Sequence, residues 1–119
     1  MTTTSSDPRW RKSLELFNRG EYFESHEVLE GLWLETKGDP HNDLYKGVIQ
    51  AAAAVYQLKR GIHSGAVELC RTSVKYLEGY APEALGLDVA GLVAGMEALF
   101  EKGLETAWDA KRVPKLKFR

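Results

Sequence analysis

A chain of 119 residues with 44% apolar and 28% charged side chains is long enough to bury one core without disulfide or metal staples. Its formal net charge of −1 offers no global field for nucleic acid or an anionic membrane, so neither is expected as a partner. A single cysteine, Cys70, excludes an internal disulfide, and no apolar run approaches the roughly 20 residues of a membrane span, so a reducing cytoplasm is the expected compartment.

The opening Met1-Thr-Thr-Thr-Ser-Ser6 lacks a basic region and an apolar core, and residues 1–7 read as a flexible lead-in. Asp7-Pro8 then opens a helix, the aspartate capping free N–H groups and the proline fitting the first helical position. That helix runs from Pro8 to Asn18 with Trp10, Leu14 and Phe17 on one face, and Asn18 and Gly20 end it. A second helix spans Glu21 to Thr36, and Lys37-Gly38-Asp39-Pro40 stops it. The third, Pro40 to Arg60, carries Gln50-Ala-Ala-Ala-Ala-Val-Tyr56, whose small side chains let neighbours come close, so it is expected at the centre. Ser64 is placed to cap a fourth helix reaching Glu78, with Ala66, Leu69, Cys70, Val74 and Leu77 inward. After a connector at Gly79 to Pro82, with one turn near Glu83, Asp88 caps a fifth helix from Val89 to Trp108. Its stripe is Leu92, Val93, Met96, Leu99, Phe100 and Gly103. Pro114 is expected to close the ordered structure, leaving residues 111–119 as a solvated basic tail.

No stretch alternates with period two over a strand's length, and no Asn-Gly or Asp-Gly hairpin signal appears. The fold class is therefore all-α: a compact bundle of about five helices in antiparallel hairpins with short loops, one domain over residues 8–110. Two hairpins, Phe17 to Trp33 and Ala54 to Leu77, share a rhythm like that of tetratricopeptide pairs without the full pattern.

The second helix carries the chemistry. At about 100° per residue from Tyr22, Leu29 and Trp33 fall within about 20°, His26 at about 40° and Glu30 at about 80°. Glu24, Glu27 and Glu35 fall on the wet side, so Glu30 is the acidic residue drawn inward. An inward carboxylate needs a partner, and His26 one turn earlier is the nearest. Three arrangements answer it: a structural pair held by tyrosine or glutamine neighbours; a divalent-metal site such as zinc, ligated by His26 and Glu30; or an acid–base pair in which the carboxylate orients the imidazole. Tyr22 and Trp33 would wall such a site, and Gln50 would reach it from the third helix, with Asp43 and Tyr45 as further polar candidates. His26-Glu-Val-Leu-Glu30 approaches the zinc-protease pattern H-E-x-x-H, but Glu27 faces solvent and no third ligand is evident, since His41 and His63 read as loop residues. Cys70, without a His or Asn motif, reads as a buried thiol.

Gly20-Glu-Tyr-Phe-Glu-Ser-His-Glu-Val-Leu-Glu-Gly-Leu-Trp33 resembles the hallmark of the DUF309 family, small bacterial and archaeal proteins of unknown function with an H-x-x-x-E-x-x-W/Y motif, here His26, Glu30 and Trp33. Lys46-Gly-Val-Ile-Gln50, Arg60-Gly61 with Gly65-Ala66, and Tyr80-Ala-Pro82 with Gly86-Leu-Asp88 extend the likeness over roughly Pro8 to Phe100. The resemblance implies a compact helical bundle and metal binding at the motif. It departs at Gln57, near which relatives often carry a histidine. The two functional expectations are thus a metal or acid–base site at His26 and Glu30, and a non-catalytic interaction module. In the module the pair only holds the hairpin, and a helix face meets a partner or second copy.

Overall fold

The computed structural model describes residues 7–102 and 109–118. The expected lead-in over 1–6, the end of the fifth helix from Gly103 to Trp108, and Arg119 lie outside them. Among the described residues five α-helices follow in order: α1 Pro8–Asn18, α2 Tyr22–Glu35, α3 Asn42–Lys59, α4 His63–Glu78 and α5 Val89–Lys102. A two-stranded ribbon, β1 Glu83–Ala84 and β2 Leu87–Asp88, precedes α5, and a 3₁₀ turn covers Ala110–Arg112. The all-α expectation holds, and α3 is the central helix, with α2 and α4 as its main neighbours.

The starts of α1 and α5 have a local cause. The Asp7 carboxylate accepts from the Arg9 N–H at 2.9 Å, and Arg9 extends its guanidinium to Glu35 at the far end of α2 at 2.9 Å. One arginine thereby ties the beginning of α1 to the end of α2. The Arg9 hydrogen bonds hold the carboxyls of Asp7 and Glu35 below the usual range. Because the folded value is lowered, the Asp7 contribution is present above the unfolded value and lost as pH falls through the folded one. Asp7→Ala is expected to cost about 1 kcal/mol near neutral pH, as an N-cap loss does. Asp7→Asn, in urea midpoints taken across acid pH, is expected to flatten the acid-side fall; an unchanged slope would show that the cap carries no charge-dependent stability. At α5, Asp88 accepts from the Gly91 N–H at 3.1 Å, as the sequence suggests. At α4 the expectation fails: Ile62 is the cap residue, without a side-chain bond, and Ser64 sits inside the first turn.

The core forms where small residues let helices close. Ala51, Ala52 and Ala54 on α3 are fully buried, and Gly47 lies beneath Leu77 of α4. Ser13, Ser25 and Ser73 are buried too, each bonded to a main-chain carbonyl: Ser25 Oγ to Ser13 O at 2.8 Å across α1–α2, and Ser73 Oγ to Gly47 O at 2.7 Å across α3–α4. Small hydroxyls answered by carbonyls are tolerated inside, and they mark where backbones approach.

Two features depart from the sequence reading. The connector before α5 is a ribbon turning at Leu85 and Gly86, with φ of 47° and 81°. A leucine in left-handed backbone costs roughly 1–2 kcal/mol. It is held there because its side chain is buried and its carbonyl accepts from Trp10 Nε1 at 3.0 Å. The basic tail is not free either. Val113 and Leu116 are buried, Pro114 packs over Gly95, and Lys117 O accepts from the Asp88 N–H at 2.8 Å. Asn18 grips the main chain of Leu116 at both ends, accepting at 2.7 Å and donating at 2.9 Å. The apolar residues spaced among the lysines make that end a strap across α1 and the ribbon.

Candidate functional site

On α2 the buried residues are Tyr22, Ser25, Leu29 and Leu32, while His26, Glu30 and Trp33 form the next row outward. The His26 Nε2 to Glu30 Oε2 distance is 3.4 Å, ion-pair range but longer than a well-formed hydrogen bond. The side chains are 28% and 47% exposed, so the pair sits on the rim of the apolar face, and Glu30 is less inward than the helical wheel suggests. The wet side is as expected: Glu24, Glu27 and Glu35 are exposed.

The facing wall is α3, running antiparallel. Phe23 meets Tyr56 with ring centroids 5.5 Å apart, and ten residues on, Lys46 lies 4.3 Å over the Trp33 ring. Residues 26–30 therefore lie about level with residues 49–53. The corner joining the helices is tied by Asn42, whose amide donates to Trp33 O at 2.9 Å and to Thr36 Oγ1 at 3.1 Å. Lys37 adds a second ammonium, 3.4 Å from the Trp33 centroid. Among the described residues neither lysine has a carboxylate partner.

Among the described residues three buried side-chain polar atoms lack a hydrogen-bond partner: His26 Nδ1, Gln50 Oε1 and Gln57 Oε1. All three belong to the facing helices α2 and α3. Leaving a buried acceptor unpaired costs about 1–3 kcal/mol, so such atoms are scarce in structural networks. Glu30 stands on the Nε2 side of the ring, and Nδ1 is the nitrogen that is buried without a partner. A donor, or a cation, is what this row can take.

Other expected site residues lie elsewhere. Tyr22 packs edge-on against Phe17 at 5.1 Å, and burial raises its hydroxyl above the ordinary value, so it serves the core between α1 and α2. Tyr45 packs on Trp10 at 5.5 Å, and Asp43 is exposed. His41 pairs with Asp39 at 3.6 Å, and His63 is exposed at the start of α4. Among the described residues no three of His, Cys, Asp and Glu gather closely enough to hold a metal ion. His26 and Glu30 thus have no third conventional ligand, and a closed zinc site does not fit this donor set. Cys70 is buried against α5, its thiol pushed up to about 11 chiefly by burial, and is a structural thiol. It floors a separate groove of about 670 Å³ between α4 and α5 that shares no residue with the α2–α3 seam.

The sequence reading missed the two lysines around Trp33 and met Gln57 only as a departure from the family pattern. The signal was present in the spacing: Lys46, Gln50 and Gln57 recur at i, i+4 and i+11 and so share one face of α3, from which Lys46 reaches Trp33 of α2.

Among the described residues no helix is long and apolar enough to cross a membrane. The chain is 37% identical over 95 residues to the uncharacterised protein YpuF of Bacillus subtilis (strain 168), covering 78% of this chain and 54% of that protein. It is 36% identical over 45 residues to an uncharacterised protein of Aquifex aeolicus (strain VF5), covering 38% of this chain and 14% of that protein. It therefore spans about half the length of the first relative and less of the second. A family model described as a domain of unknown function, DUF309, matches residues 10–69, which run from α1 into α4 and contain the whole seam. With half of its length matched by that model, the chain belongs to the DUF309 family.

Proposed function

We propose that the seam between α2 and α3 is a binding site for a small ligand rich in hydrogen-bond donors. His26 exchanges a proton with that ligand, and Glu30 positions the imidazole. One observation carries the proposal: the unpartnered buried acceptors His26 Nδ1, Gln50 Oε1 and Gln57 Oε1 all belong to these two helices. A purely structural pair would close its own hydrogen bonds, and the 3.4 Å contact with Nδ1 left over does not. A divalent cation suits the site less well, because Glu30 is its one carboxylate and two ammoniums stand about one turn away at Trp33.

The test is the tautomer of His26, read from long-range ¹H–¹⁵N correlations at a pH where the ring is neutral. The expected result is a proton on Nε2 and an unprotonated Nδ1 without a protein donor. Glu30→Gln is expected to move population toward the Nδ1–H form, since the group favouring Nε2–H is removed. A proton resident on Nδ1 and bonded to a glutamine oxygen would close the network, and the interaction-module reading would take its place. Micromolar zinc affinity abolished by His26→Ala would return the site to the metal reading.

A further inference from the structure

Resting on the seam being a ligand site, we infer that its ligand carries a phosphomonoester, held by Lys37 and Lys46 at Trp33. Both ammoniums are drawn to one indole ring, and neither has a carboxylate partner among the described residues. Their distances to the same centroid, 3.4 and 4.3 Å, keep the two nitrogens within about 8 Å of each other, near enough for two flexible lysine stems to turn from the ring and meet on one phosphate. Two like charges this close repel unless an anion joins them, and the indole face only partly answers them. A phosphomonoester, carrying about −1.5 to −2 near neutral pH, matches two ammoniums where a carboxylate would leave one over.

The rest of the seam sets the polarity of the ligand. Glu30 lies one turn before Trp33 on α2, so it repels an anion placed near His26 and confines the phosphate to the lysine end. Going along α3 from Lys46, Gln50 comes after about 6 Å and the level of His26 after about 10 Å. The acceptors there call for N–H or O–H groups on the body of the same molecule. The Trp33 ring between the two functions is itself partly buried, and the carbonyl of that residue is pinned by Asn42, so the ring that both lysines approach is fixed in place. The class is a small phosphorylated molecule with a donor-bearing body, such as a sugar phosphate or a nucleoside monophosphate.

The experiment uses the full chain, with inorganic phosphate and AMP as probes and amide and indole ¹H–¹⁵N spectra as the readout. Saturable shifts of the Trp33 indole N–H and of the Lys37 and Lys46 amides with phosphate are expected. Lys37→Met with Lys46→Met keeps the apolar stems, and so the packing, while removing both charges, and is expected to weaken phosphate binding by about tenfold or more. AMP is expected to bind more tightly than phosphate, and His26→Ala to remove that gain while leaving the phosphate response. Phosphate shifts that are absent from Trp33, or that survive in the double variant, overturn the inference. So do shifts that gather instead on Lys115 and Lys117. If phosphate behaves as expected but the AMP gain ignores His26→Ala, the phosphate end stands and the donor-binding reading of His26 is what fails.

Discussion

Trp10→Ala is expected to lose about 3–5 kcal/mol of folding stability, the largest effect of any single truncation considered for this chain. Trp10 is 2% exposed and packs on Tyr45 with centroids 5.5 Å apart. Its indole N–H donates to Leu85 O at 3.0 Å, across 75 residues of sequence. Truncation therefore opens a cavity between α1 and α3 and also releases the carbonyl that holds Leu85 in left-handed backbone. Trp10→Phe separates most of the cavity effect from the loss of the donor, because it keeps a smaller aromatic ring in place and removes the N–H. That variant is expected to lose about 1–3 kcal/mol, the cost of a buried carbonyl left unanswered. Urea unfolding of both variants measures the totals, and amide exchange across Glu83–Asp88 reports whether the ribbon loosens first. A Trp10→Ala loss under about 1 kcal/mol would mean that the ribbon and α1 are not coupled through this ring.

Gly47→Ala is expected to destabilise by about 1–3 kcal/mol, although glycine to alanine in a helix interior ordinarily gains about 1 kcal/mol. The reversal of sign comes from α4. A Cβ at position 47 would stand 2.8 Å from both Cγ and Cδ2 of Leu77 and 3.2 Å from the Cβ of Tyr76. Leu77 is fully buried and cannot swing away, and Ser73 holds the Gly47 carbonyl at 2.7 Å, so the helices cannot separate cheaply. Leu77→Ala alone is expected to lose about 2–5 kcal/mol through the cavity it leaves. The double variant is expected to lose less than the two added together, since the new methyl occupies part of that cavity. Strict additivity, or a Gly47→Ala protein more stable than the parent, would show that this contact does not set the α3–α4 distance.

Much of the fold is legible in the chain because its punctuation is local. Asp7-Pro8, Gly20, Gly38, Gly61 and Asp88 mark helix ends through cap chemistry and left-handed geometry that a few residues determine among themselves. The ribbon at Leu85 was not legible. Leucine disfavours that backbone on its own, and only burial beneath Trp10 selects it. The strap from Val113 to Phe118 was hidden for a similar reason: its lysines set its average character, while three apolar side chains and the amide of Asn18 decide where it lies.

The candidate site divides in the same way. Sequence alone determined that His26 and Glu30 share a face of α2 and that Trp33 completes the row, because helical periodicity follows from residue spacing. It also determined the small-residue face of α3, since alanine and glycine declare close approach. Only the tertiary structure decided which row of α3 stands opposite, because the register between two helices is set by side-chain packing along their whole length. That register brings Lys46 over the Trp33 ring, while packing turns Tyr22 and Tyr45 away into the core. It also places Glu30 at the rim of the seam, 3.4 Å from His26 and half in water.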